Sequence, residues 1–327
     1  MRFSPLSVLV FLVAAAGIQA ETWTPYPSGL PQFDYQGERL AQFWPQLMMG
    51  PARPFPTADY LQDYFRRYPA VLSRTRELAA AADAADALKA VNDHNFEPLA
   101  QAVQQVWRLH YEGRFKQARQ LGLSLGPVGA IPGLYAQMMY ATLIVSEPEE
   151  KLRLLREAAA LSEQLLPLAA DDAFARFGLA YARARILELL PTSEASASGY
   201  LGDTRDTLQS LMEENPGNPL YPAMLGGIHA GVVARVGGFL GRLTYGSSTS
   251  KAIAAFDQAL ANEPRLPVIY FEYARALGMI DAEKYRQTQQ QLRQACLQQQ
   301  VFSAEEALNQ RQCREQLPAP DSHSTDD

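Results

Sequence analysis

The side chains best suited to chemistry are few in this chain, and they are widely spaced. His94, His110, His229 and His323 form no i, i+4 pair and have no carboxylate set at zinc spacing, so no metal site is expected. Ser248-Thr-Ser-Lys251 fits a serine–lysine nucleophile pattern, but the S-D-N and K-T-G elements that complete such a site are missing. A simpler role is a cap, with Thr249 or Ser250 opening a helix at Lys251. No G-x-S-x-G, dinucleotide fingerprint or phosphate loop occurs, and no cofactor is expected. Acidic groups such as Glu147 with Glu149 and Glu150, Asp171 with Asp172, and Glu213 with Glu214 stand at helix ends, as solvated faces and dipole partners. Catalysis is not indicated. Cys296 and Cys313 favour a local disulfide in an oxidising compartment. A bridge needs Cα atoms within about 7 Å. A simple hairpin turning near Gln300 would place Cys313 farther from the turn than Cys296, so geometry leaves the pairing open.

The compartment is suggested by the first twenty residues. Arg2 is followed by an apolar run over 6–18 and by Ala20, the anatomy of a cleaved secretory signal and too short to favour a membrane anchor. A periplasmic or secreted mature chain is expected, with no transmembrane segment. The formal charge of −6 becomes −7 once Arg2 leaves, with no basic patch for nucleic acid. Hydrophobic residues make up 47% of the chain, enough to bury a core over the remaining length.

Alternating Val, Ile and Thr runs are nearly absent, while Ala, Leu, Gln, Glu and Arg dominate, so the fold class is all-α. The exception is 21–56, a proline- and aromatic-rich arm with one helix near 38–48, its rings expected to fill apolar grooves. Helices are expected at 57–67, 69–91, 96–111, 114–124, 131–146, 148–165, 171–189, 200–214, 219–235, 249–261, 267–278, 281–299 and 303–315. Ser303-Ala-Glu-Glu306 marks the last start as a capping box. Residues 317–327 read as a disordered tail.

Self-similarity organises the helical part. Phe174-x2-Phe177-Gly178-x2-Tyr181 lies 48 residues before Pro222-x2-Leu225-Gly226-x2-His229, and a further 48 leads to Tyr273-Ala274-x2-Leu277. The same interval separates Pro216 from Pro264 and Pro219 from Pro267. Leu225-Gly226-x2-His229, then Ala252-x3-Phe256, then Pro264 resembles the tetratricopeptide repeat. That likeness implies a helical-hairpin solenoid over 57–316, clearest at 173–292. Against a standard repeat of about 34 residues, the 48-residue period carries long intra-repeat insertions of about 14.

The second insertion, 226–250, holds seven of the chain's 21 glycines among Val232, Val233, Val236, Phe239, Leu240 and Leu243. Glycine costs about 1 kcal/mol against alanine inside a helix, so such a cluster implies tight packing or room for a ligand. Gly237-Gly238, Tyr245-Gly246, Lys251-Ala252 and Glu263-Pro264 resemble the TRAP-transporter T-component family. That resemblance implies a periplasmic accessory protein for capture or delivery of small organic ligands. The candidate binding residues are Arg235, Phe239, Arg242, Tyr245 and Tyr270, with His229 at a repeat ring position. Bulk at Gly238 is expected to abolish binding without loss of helicity. Repeat folds mostly serve interactions, so the first expectation is a scaffold holding a protein or peptide partner of the envelope. The alternative is a carrier of a small hydrophobic or organic ligand.

Overall fold

The structure, a computed structural model, describes residues 23–50 and 52–316. The expected signal segment and the expected tail at 317–327 lie outside the described residues. Among those residues there are sixteen α-helices and no strand. They are α1 (Arg39–Leu47), α2 (Ala58–Arg67), α3 (Pro69–Ala79), α4 (Asp86–Lys89), α5 (Glu97–Tyr111), α6 (Phe115–Ser124), α7 (Gly126–Leu143) and α8 (Pro148–Leu165). There follow α9 (Ala173–Leu189), α10 (Thr192–Ala197), α11 (Tyr200–Glu214), α12 (Leu220–Tyr245), α13 (Thr249–Asn262), α14 (Pro267–Asp281), α15 (Arg286–Gln298) and α16 (Ala304–Glu315).

Local chemistry sets most of the boundaries. Thr57, Asp172, Ser248 and Ser303 each accept a backbone N–H of the helix they precede, as N-caps do. Proline opens α3, α8 and α14, where its missing N–H costs nothing. The cap of α13 is Ser248, two residues from Ser250 and one from Thr249, the two expected caps. Three other expectations are also corrected. The stretch 69–91 breaks after Ala79 into α3, α4 and a 3₁₀ turn. The helix expected from 131 begins at Gly126 and takes Pro132 into its interior. The helix expected to end at 235 continues to Tyr245 as α12, broken at Gly237, whose φ of 78° only glycine adopts at little cost.

Helices near in the chain pair: α5 with α6, α7 with α8, α9 with α11 across the short α10, α12 with α13, and α14 with α15. Their first members also touch in series, α5 to α7 to α9 to α12 to α14 to α16. Helix α16 then touches α5 and α7, so this inner row closes on itself. The closure is specific. Glu305 of α16 accepts hydrogen bonds from Tyr135 Oη on α7 (3.0 Å) and pairs with His110 Nε2 on α5 (3.2 Å). Arg311 Nη2 donates to the Leu143 carbonyl at 3.1 Å.

The main core gathers Leu40, Leu61, Leu99, Trp107, Leu154 and Ile186, all nearly free of solvent. A second cluster, around Phe256 and Ile269, joins α12, α13 and α14. The N-terminal arm adds rings to the first of these: Trp23 stacks on Tyr140 at 3.9 Å, and Trp44 meets Trp107 edge-on at 5.7 Å. Arg53 fixes the end of the arm. Its guanidinium donates to Asp172 at 3.2 Å, and Tyr64 Oη donates to the same carboxylate at 2.9 Å. Asp172 thus caps α9 and holds the arm with one side chain.

Cys296 of α15 and Cys313 of α16 are joined, their Cα atoms 6.5 Å apart. The pairing that the sequence left open is therefore made, between a cysteine near the end of α15 and one near the end of α16.

Candidate functional site

A cavity of about 440 Å³ lies within the closed inner row, walled by α7, α9, α12, α14 and α16, with α10 completing one side. That size falls within the range of small-molecule sites. Most of the wall is apolar, from residues such as Met139, Leu189, Leu201, Met224, Ile228 and Val236.

The glycine cluster divides by role. A Cβ at Gly226 would stand 2.7 Å from the Phe256 ring, so this glycine lets α12 approach α13. Gly227 and Gly231 line the cavity, and a Cβ on either would meet nothing within 4 Å. Their missing side chains are room. Gly237 breaks the helix, and Gly246 ends it in the left-handed conformation. Gly238, expected to be critical, has open space around it and is not part of the wall.

One part of the wall is ionic. Arg185 and Glu188 of α9 face Glu272 and Arg275 of α14, and each arginine bonds to both carboxylates. Arg185 reaches Glu188 at 3.0 Å and Glu272 at 2.5 Å, while Arg275 reaches Glu188 at 2.9 Å and Glu272 at 2.6 Å. Burial works to raise the Glu272 pKa, but Arg185 and Arg275 bring it down to about 2. Glu188 is lowered in the same way, by the same two guanidinium groups against burial. Arg185 also lies over the Tyr181 ring, whose hydroxyl donates to Thr142.

A second polar patch comes from α16. Glu305 and Asn309 enter the wall one turn apart. Asn309 Nδ2 donates to the Glu305 carbonyl at 3.0 Å. Its Oδ1 has no hydrogen-bond partner among the described residues, although Asn309 is only 2% exposed.

Of the residues singled out from the sequence, Arg235 and Tyr245 line the cavity. Arg235 also donates to the carbonyls of Leu187 (2.7 Å) and Glu188 (3.0 Å), capping the end of α9. The other four do not line it. His229 is buried behind the wall with Nδ1 3.0 Å from Ser247 Oγ. Burial, with Arg205 and Lys251 nearby, lowers its pKa to about 4. Tyr270 packs beside the disulfide and donates to the Pro264 carbonyl. Phe239 and Arg242 are exposed beyond the Gly237 break. Ser248 and Lys251, the serine–lysine pair, are occupied separately: the serine caps α13, and Lys251 Nζ donates to the Gly246 carbonyl.

Sequence reasoning missed the four-charge ring and the α16 patch. Arg185-x2-Glu188 and Glu272-x2-Arg275 are visible as opposite-charge i, i+3 couples, which ordinarily mark a solvated face. Nothing in the sequence brings them together across 87 residues. No transmembrane segment was expected in the mature chain, yet α12 is long and apolar enough, by length and composition, to cross a bilayer. It packs against α9, α11, α13 and α14.

Compared with the models of known protein families and with curated proteins, the chain matches none.

Proposed function

We propose that this chain is a non-enzymatic binding protein of the periplasm or the extracellular space, holding a small apolar or amphipathic ligand in the cavity of the inner helical row. The reading rests on one observation: a pocket of about 440 Å³ lies where two helical glycines leave open volume. Glycine is costly inside a helix, and neither Gly227 nor Gly231 is needed for packing. The first helices α9, α12 and α14 recur close to the 48-residue period, in keeping with a tetratricopeptide-like solenoid whose first two units carry long insertions. The resemblance to the TRAP-transporter T-component family points to the same kind of role, capture or delivery of a small organic molecule. Joined cysteines suit an oxidising compartment.

The test is native mass spectrometry of the protein from its producing cells, beside Gly231→Leu. A bound small molecule present in the parent and lost from the variant is the expected result. A parent that carries nothing and takes up no decanol would sink the reading.

A scaffold role for a protein partner has its own support. Phe239, Leu240 and Leu243 are 79%, 50% and 73% exposed at the end of α12. Exposed apolar groups in a cluster mark contact surfaces. Pull-down with Phe239→Ser and Leu243→Ser separates this role from the first, since these changes leave the cavity wall intact.

A further inference from the structure

We infer that the ligand of the cavity carries a hydrogen-bond-donating amine head, seated on the α16 patch of Glu305 and Asn309, with its apolar body against α12. The inference deepens the ligand reading above and rests on it.

The charges in the cavity wall are three arginines and three glutamates. Arg185 and Arg275 are committed to Glu188 and Glu272. Arg235 is tied to two carbonyls at the end of α9. An incoming carboxylate would have to break the four-charge ring or reach Arg235, which stands solvent-exposed at the end of α9 with Nη2 on the two carbonyls. Glu305 differs. Its polar neighbours are the Tyr135 hydroxyl and His110 Nε2, and among the described residues no lysine or arginine is seen to pair with it. Its two oxygens offer about four acceptor positions. Three contacts reach them here: Tyr135 on both oxygens and His110 on Oε2. Acceptor capacity therefore remains.

Asn309 supplies the independent observation. A buried side-chain oxygen without a partner costs free energy, and such atoms are rare unless something else fills them. The side chain's orientation is fixed by its own donor, since Nδ2 faces the Glu305 carbonyl and the remaining oxygen can only accept. Two acceptors one helical turn apart, one of them charged, match the several N–H donors of a protonated amine. The hydroxyls of the wall, on Thr142, Thr192, Ser196 and Tyr245, are neutral. The apolar surface of α12 and α9 suits an alkyl or aromatic body.

The experiment measures the affinities of decylamine, decanol and decanoate for the full protein by calorimetry. Hydrogen bonds to charged groups contribute about 1.5–3 kcal/mol, so decylamine should bind roughly ten- to a hundredfold more tightly than decanoate. Glu305→Gln should bring the two to near parity while decanol binding holds. Because Glu305 also ties α16 to α5 and α7, Asn309→Leu serves as a second variant. It should weaken decylamine and leave decanol unchanged, with circular dichroism confirming the helical content of both. Decanoate binding as tightly as decylamine, or a preference that survives in both variants, overturns the head-group assignment and leaves the cavity reading standing. If none of the three probes binds, the cavity reading fails first.

Discussion

Glu272 accepts hydrogen bonds from two arginines in a wall where water has little access, so its loss leaves two guanidinium groups with Glu188 as their one shared carboxylate. Removing one member of a buried ionic group costs about 3–5 kcal/mol. Glu272→Leu should therefore lower the urea midpoint strongly, whereas a change at exposed Glu283 should leave it within error. The pH response has opposing parts. The folded pKa of Glu272, about 2, is below its ordinary 4.5, so its contribution is full above 4.5 and lost as pH falls through about 2. His229 is also lowered, from 6.5 to about 4, and its contribution is full above 6.5 and declines toward pH 4. Glu306 runs the other way. Burial chiefly raises it to about 8, so its contribution is full below 4.5 and lost as pH rises through 8. Glu306→Gln keeps an acceptor for the Phe302 N–H. It should raise the thermal midpoint at pH 9 and change it little at pH 4.

At the scale of one element, α12 contains glycines that should respond in opposite directions. Alanine at Gly226 would press on Phe256 and on the Ala252 carbonyl, and overpacking of this kind costs about 1–3 kcal/mol. Alanine at Gly231 meets nothing and should stabilise the helix by up to about 1 kcal/mol. Thermal melts of the two single variants decide this, and equal destabilisation would contradict the assignment of Gly231 to open volume. Helix α16 depends on its link to α15. Cys296→Ser with Cys313→Ser opens a loop of 17 residues, for which about 3 kcal/mol is the expected loss. Hydrogen exchange should then rise first in α16, because the closing contacts to α5 and α7 come from few side chains.

For the molecule as a whole, the proposed ligand binding and the closure of the inner helical ring would depend on each other. Glu305 joins α16 to α5 and α7 and also faces the cavity. A ligand that binds only the closed form should raise the melting temperature with concentration. That shift should vanish when the disulfide is reduced, if α16 then leaves its place. A melting temperature indifferent to decanol and decylamine in both redox states would separate closure from binding.

The helical class, most helix positions and the 48-residue interval were legible in the sequence because they rest on local chemistry: caps, prolines, glycine and apolar spacing repeat within one or two turns. The glycine-rich insertion also stood out, since glycine's cost in a helix does not depend on what surrounds it. Tertiary structure alone decided which glycines pack and which make room. Gly226 and Gly227 are neighbours in sequence, yet about 100° apart around the helix they face Phe256 and the cavity respectively. The same holds for the site. Arg235 and Tyr245 reach the cavity from the segment that the sequence marks, but Glu188, Glu272, Glu305 and Asn309 come from helices far apart in the chain. Their convergence depends on the inner row closing through α16, a long-range event that no local pattern encodes.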